Sequence, residues 1–62
     1  MAADDLRTLV HDLRTPLTLV EGFGDLLVRR GDDLPAAERD EYLQRIVAAA
    51  REMRELLDRA GP

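Results

Sequence analysis

Apolar positions along this chain fall into two helical stripes separated by one break. In the first, Leu6, Leu13, Val20 and Leu27 recur every seven residues, and Leu9, Pro16 and Phe23 recur every seven beside them. At 3.6 residues per turn those rows make one seam of a packed helix, predicted from about Ala3 to Arg30. Asp4 and Asp5 stand where carboxylates favour a helix N-terminus, and Arg29 and Arg30 where cations favour a C-terminus. Gly31 is expected to end the helix, because glycine tolerates the left-handed backbone of many helix ends. Asp32, Asp33 and Leu34 connect to a second stripe, predicted from about Pro35 to Ala60. Its rows are Leu43, Ala50, Leu57 and Ile46, Met53, Ala60, widened by Val47, Ala49 and Leu56. Pro35 suits the first turn of that helix. Asp33 as the cap, Leu34 as the cap before Pro35, and Asp33 with Pro35 second in the helix are all open. Gly61 and Pro62 are expected to stop the helix.

So short a connection makes the helices antiparallel neighbours. One hairpin cannot enclose stripes this wide on both helices, whereas two hairpins paired as a four-helix bundle can. Each Leu, Ile, Val or Met so buried contributes about 1.5–3 kcal/mol relative to its exposed state. The expected fold is therefore all-α, an antiparallel helical hairpin that homodimerises.

Composition narrows this picture. Sixty-two residues make one small domain, and a domain of that size is marginal without a disulfide, a metal or self-association. No cysteine is present and there is one histidine, so disulfides are excluded and a structural zinc site is not expected. The net charge of −4 argues against nonspecific nucleic-acid binding. No apolar run approaches the roughly 20 residues that cross a bilayer. The opening Met-Ala-Ala-Asp-Asp does not read as a signal peptide. A cytoplasmic location without direct membrane contact is expected, in a parent protein that is free to be anchored elsewhere.

The chemistry concentrates in His11-Asp12-Leu13-Arg14-Thr15-Pro16-Leu17. His11 projects roughly 165° from the middle of the first seam, at about 100° per residue. A neutral imidazole is a competent nucleophile, and exposure lets an electrophile reach it. Asp12, next in the chain, can accept the N–H of one ring nitrogen and leave the other more nucleophilic. Thr15, one turn on, shares the face of His11, and its hydroxyl can hold a water or bond back to a carbonyl of the preceding turn. Arg14, at i+3, can pair with a phosphate or with a carboxylate. Pro16 removes the helical hydrogen bond to the Asp12 carbonyl, at about 3 kcal/mol. Because the stripe runs on beyond it, a bend is expected there and not a break at Thr15. Gly22 and Gly24 weaken the same helix by about 1 kcal/mol each relative to alanine. Gly24 would admit close packing near the seam, and Gly22 would let a partner approach on the histidine side.

That segment resembles the H-box of the dimerisation and histidine-phosphotransfer (HisKA) domain of sensor histidine kinases: His, an acid, any residue, Arg, Thr or Asn, Pro, Leu. The following Leu-Val-Glu-Gly-Phe-Gly-Asp-Leu-Leu, the short break, and Glu-Tyr-Leu-Gln-Arg-Ile in the second helix are similar to the family too. The resemblance implies that His11 accepts the γ-phosphoryl group of ATP on Nε2 and passes it to an aspartate of a response regulator. It implies that Asp12 orients and activates His11, that Thr15 positions water for dephosphorylating the regulator, and that Pro16 bends the helix. Thr18, Gly22 and the facing start of the second helix would select the partner. The 62 residues hold nothing that resembles a nucleotide cradle with Mg²⁺ ligands. ATP and Mg²⁺ would come with a separate catalytic domain, and this hairpin alone would be inactive as a kinase. Two other readings of the pattern are a phosphotransfer or scaffold protein that does not meet ATP directly, and a purely structural dimeric hairpin.

Overall fold

A computed structural model describes residues 2–61, so the part of the expected helix stop that falls on Pro62 lies outside the described residues. Helix α1 spans Ala3–Arg30, a single 3₁₀ turn spans Gly31–Asp33, and helix α2 spans Ala36–Ala60. The chain is an antiparallel helical hairpin, a rod with extents of 46 × 17 × 11 Å. Its long dimension follows from α1, whose 28 residues measure about 42 Å at 1.5 Å per residue.

Pro16 lies inside α1, and the helix continues without interruption to Arg30. Packing accounts for this tolerance. Pro16 is one of the most deeply buried side chains of the chain, so the ring that removes one backbone bond also fills the seam. Asp4 and Asp5 occupy the first turn of α1, and Arg29 and Arg30 the last.

The helix ends differ from the sequence expectation. Gly31 is right-handed, with φ −51° and ψ −43°, because the chain tightens into a 3₁₀ turn in place of a left-handed cap. Neither Asp33 nor Leu34 caps α2. Pro35 holds the cap position with extended backbone and no side-chain hydrogen bond, and its carbonyl accepts the Arg39 amide at 3.0 Å. Leu34 is instead a core residue, buried to 7% exposure, its amide donating to the Arg30 carbonyl at 3.1 Å. The Arg39 guanidinium reaches the Leu34 carbonyl at 3.4 Å. The connection is thus tucked under both helix ends.

Register is set by the chain's one Phe and one Tyr: the rings of Phe23 and Tyr42 pack with centroids 5.2 Å apart and planes tilted by 34°. A tilted pair at this separation adds about 0.5–1.5 kcal/mol to its area burial. In an antiparallel pair, seven residues back along α1 match seven forward along α2. That step brings Pro16 level with Ala49, and the next brings Leu9 level with Leu56. Leu9 and Leu56 indeed line one groove, and Ala49 is 4% exposed. The register thus sets a bulky buried ring on one helix level with a buried alanine, the smallest apolar side chain, on the other.

The seam of α1 follows the predicted rows from Leu9 onward, with Leu9, Leu13, Val20, Phe23 and Leu27 all partly buried around Pro16, whereas Leu6, expected in the first row, is exposed because it lies beside the seam. The seam of α2 is turned from the predicted one. Tyr42, Ala49 and Leu56 form one row with Ile46, Met53 and Ala60 as the other, while Leu43, Ala50 and Leu57 are exposed. The α2 stripe is wide enough for two faces. The Phe23–Tyr42 contact selects which of them meets α1.

An alanine at the tightest layer leaves no room for a larger residue. Ala49→Leu is expected to destabilise the hairpin by about 1–3 kcal/mol through overpacking, measured by thermal or urea unfolding followed by circular dichroism. Unchanged stability would show that the layer is loose.

Candidate functional site

Pro16 at the centre of the seam fixes the rotation of α1, and that rotation turns the H-box outward. His11, Asp12, Arg14 and Thr15 are all exposed, whereas Leu13 is partly buried and Pro16 is buried. These exposed side chains therefore stand on a rod held from its other side. An electrophile reaches the His11 ring from solvent without any rearrangement of the hairpin.

His11 and Thr15 are one turn apart on the same face. No hydrogen bond joins His11 to Asp12 among the described residues. Successive helical residues point about 100° apart, and Asp12 faces the flank of the hairpin. There it lines a groove with Asp5, Thr8, Leu9, Leu56, Arg59 and Ala60, at the end where the two helix termini meet. Arg14 forms no ion pair among the described residues; the two ion pairs formed there are Arg29–Asp25 at 2.7 Å and Arg45–Glu41 at 3.4 Å. The hydroxyl that bonds back to the preceding turn is that of Thr18, which donates to the Arg14 carbonyl at 2.8 Å. The Thr15 hydroxyl has no such bond among the described residues.

Thr18 and Gly22 come together in a shallow apolar depression with Leu19, Phe23 and Leu26. That depression is lined from α1 alone. Leu19 and Leu26 belong to the stretch that resembles the family but were not among the expected site residues, because they lie off the main seam. Their four-residue approach to Thr18, Gly22 and Phe23 on one face was the available signal. A Cβ built on Gly24 meets nothing within 4 Å, so the expected close packing at Gly24 does not occur within the hairpin. Gly22 is equally open.

The described residues include no group of three or more His, Cys, Asp or Glu placed to hold a metal ion. No helix among them is long and apolar enough to cross a membrane.

With this geometry in hand, comparison with known families gives one result. The family model of the His Kinase A (phospho-acceptor) domain matches residues 3–60. The match covers both helices and the connection, so the chain belongs to the His Kinase A phospho-acceptor family, the dimerisation and phosphoacceptor domains of two-component histidine kinases. No curated protein and no solved structure gives a significant match to the chain.

Open space at Gly22 makes a simple forecast. Gly22→Ala is expected to stabilise the hairpin by about 1 kcal/mol through helix propensity alone, raising the melting temperature by about 4–8 °C for a domain of this size. A lowered melting temperature would mean that the glycine is needed for packing.

Proposed function

We propose that His11 is the phosphoacceptor of this domain and that the hairpin works as a homodimer, in the cytoplasm, between a catalytic domain and a response regulator. The observation that carries the reading is the coincidence of a family match over residues 3–60 with an exposed imidazole opposite the buried seam.

In the first step the Nε2 electron pair of His11 forms a bond to the γ-phosphorus of ATP, and the bond from that phosphorus to the bridging oxygen breaks, leaving ADP. A separate domain would supply the nucleotide site and Mg²⁺. Asp12 holds the Nδ1–H, which fixes the tautomer and offsets the charge that develops on the ring. Bringing Asp12 to the ring takes a rotation of its side chain out of the groove it lines. In the second step the N–P bond breaks as a carboxylate oxygen of the regulator takes the phosphoryl group. Thr15, on the same face and free of any backbone bond among the described residues, would hold the water that attacks the regulator's aspartyl phosphate, breaking its O–P bond and releasing inorganic phosphate and the free carboxylate. Thr18 and Gly22, with the apolar depression they line, are the contact for the regulator. Pro16 removes the amide that would bind the Asp12 carbonyl and so leaves the H-box turn easier to bend than the turns around it.

Dimerisation follows from the surface the hairpin leaves open. At about 100° per residue, Leu6, Val10 and Leu17 lie to one side of the α1 seam, and Leu43, Ala50 and Leu57 lie at matching angles beside the α2 seam. In an antiparallel pair these offsets fall on the same side, giving one continuous apolar flank. Leu6 is 53% exposed, Leu43 47% and Leu57 51%. A second copy covering this flank would complete a four-helix bundle and would leave His11, on another side of α1, in solvent.

Two measurements test this reading. With a histidine-kinase catalytic domain and Mg-ATP, wild-type chain should acquire acid-labile, base-stable phosphate, and His11→Gln should acquire none; label elsewhere would refute the assignment. In analytical ultracentrifugation the wild-type chain should sediment as a dimer and Leu43→Glu as a monomer, whereas a monomeric wild type would refute the bundle.

A further inference from the structure

The arginines of this chain are placed unevenly with respect to its acids. Arg29 and Arg45 each bind a carboxylate one turn away, at 2.7 and 3.4 Å. Arg51 and Arg54 have Glu55 and Asp58 at i+4. Arg51 and Arg54 form no ion pair among the described residues either; what sets Arg7 and Arg14 apart is that His11 lies four residues after one and three before the other. Arg14 has Val10, His11, Leu17 and Thr18 at the positions three and four residues away, and of these only His11 can carry charge. Arg7 has Ala3, Asp4, Val10 and His11. Neither arginine forms an ion pair among the described residues, and both are exposed, as is His11. Residues three and four apart on a helix have Cβ atoms about 5–6 Å apart, so both long side chains reach past the ring from either end. In a chain of net charge −4, the surface around the imidazole carries two unengaged cations.

We propose that Arg7, acting with Arg14, forms a clamp for the phosphoryl group at His11, holding its oxygens as it arrives on Nε2 and while it stays there. The proposal rests on His11 being the phosphoacceptor. A phosphoryl group brings nearly two negative charges and three strong acceptor oxygens to the surface. Guanidinium groups bind such oxygens through short charge-assisted hydrogen bonds. Arg14 belongs to the H-box, whereas Arg7 lies one turn before it and outside the motif. With Arg7 below the ring and Arg14 above it, a phosphoryl donor meets positive charge from both directions along the helix. α2 packs on the opposite side of α1, so its charges do not face the ring. The nearest acids are Asp4 and Asp12 on α1 itself.

The test uses the intact chain and phosphoramidate, a small anionic phosphoryl donor that needs no catalytic domain. The Nε2 electron pair of neutral His11 forms the N–P bond, the P–N bond of the donor breaks, and its nitrogen departs as ammonia with the three protons it already carried. The Nδ1 proton stays on the phosphorylated ring. Arg7→Gln should form phosphohistidine about three-fold more slowly than wild type at low ionic strength, and Arg14→Gln similarly, from loss of one nearby charge in a largely aqueous setting. Arg7→Lys should recover most of the rate, and Arg51→Gln, on α2, should match wild type. Raising salt should bring wild type toward the rate of Arg7→Gln. Circular dichroism of each variant separates a local effect from lost helix. If His11 is phosphorylated equally fast in Arg7→Gln, or if Arg51→Gln slows the reaction as much, the clamp is overturned and the phosphoacceptor assignment stands. If wild type takes no phosphoryl group on His11, or His11→Gln is labelled equally, both fall.

Discussion

The structure depends on the contact layer in which the ring of Pro16 lies level with Ala49. A proline in mid-helix costs about 3 kcal/mol, and here its side chain is almost fully removed from solvent in the seam between α1 and α2. The same ring that breaks the hydrogen-bond ladder anchors the helix rotation. With Pro16 inward, His11 five residues earlier has to point outward, together with Arg14 and Thr15. The residue that removes one backbone hydrogen bond from this turn therefore also decides which way the turn faces. One side chain couples packing to exposure.

The α1 seam could be read from sequence because Leu9, Pro16 and Phe23 hold one unbroken heptad row beside Leu13, Val20 and Leu27, and the rotation that exposes His11 comes from their spacing. On α2 the stripe spans two faces, and spacing alone cannot say which one meets α1. Tyr42 is decisive, and its contact with Phe23 depends on how the connection folds. That connection was the least legible part. The handedness of Gly31 is set by the residues after it, and the buried Leu34 draws the chain into a 3₁₀ turn before Pro35 can start α2. The site residues were legible as a motif. Their mutual geometry was not: Asp12 faces the groove with Arg59, and the back-bonded hydroxyl is that of Thr18.

Labour is divided around the rod. One side of each helix makes the hairpin, an adjacent apolar flank is left exposed, and the remaining face of α1 presents the imidazole with two arginines that form no ion pair among the described residues. Membership of the His Kinase A phospho-acceptor family and this partition support each other, since a phosphoacceptor has to be rigidly held and yet open to two different visitors. Thr18 and Gly22 extend the same exposed face toward the connection, so a regulator approaching His11 would meet the apolar depression they line.

The most direct measurement of this account is the solvent exposure of the His11 ring relative to the Pro16–Ala49 layer. Adding a soluble paramagnetic agent and following proton relaxation by NMR should broaden the His11 ring protons as strongly as the methyls of Val28, which is 86% exposed, while the Ala49 methyl stays sharp. A His11 ring as protected as Ala49 would contradict the account, because the imidazole would then lie inside the fold it is said to face away from.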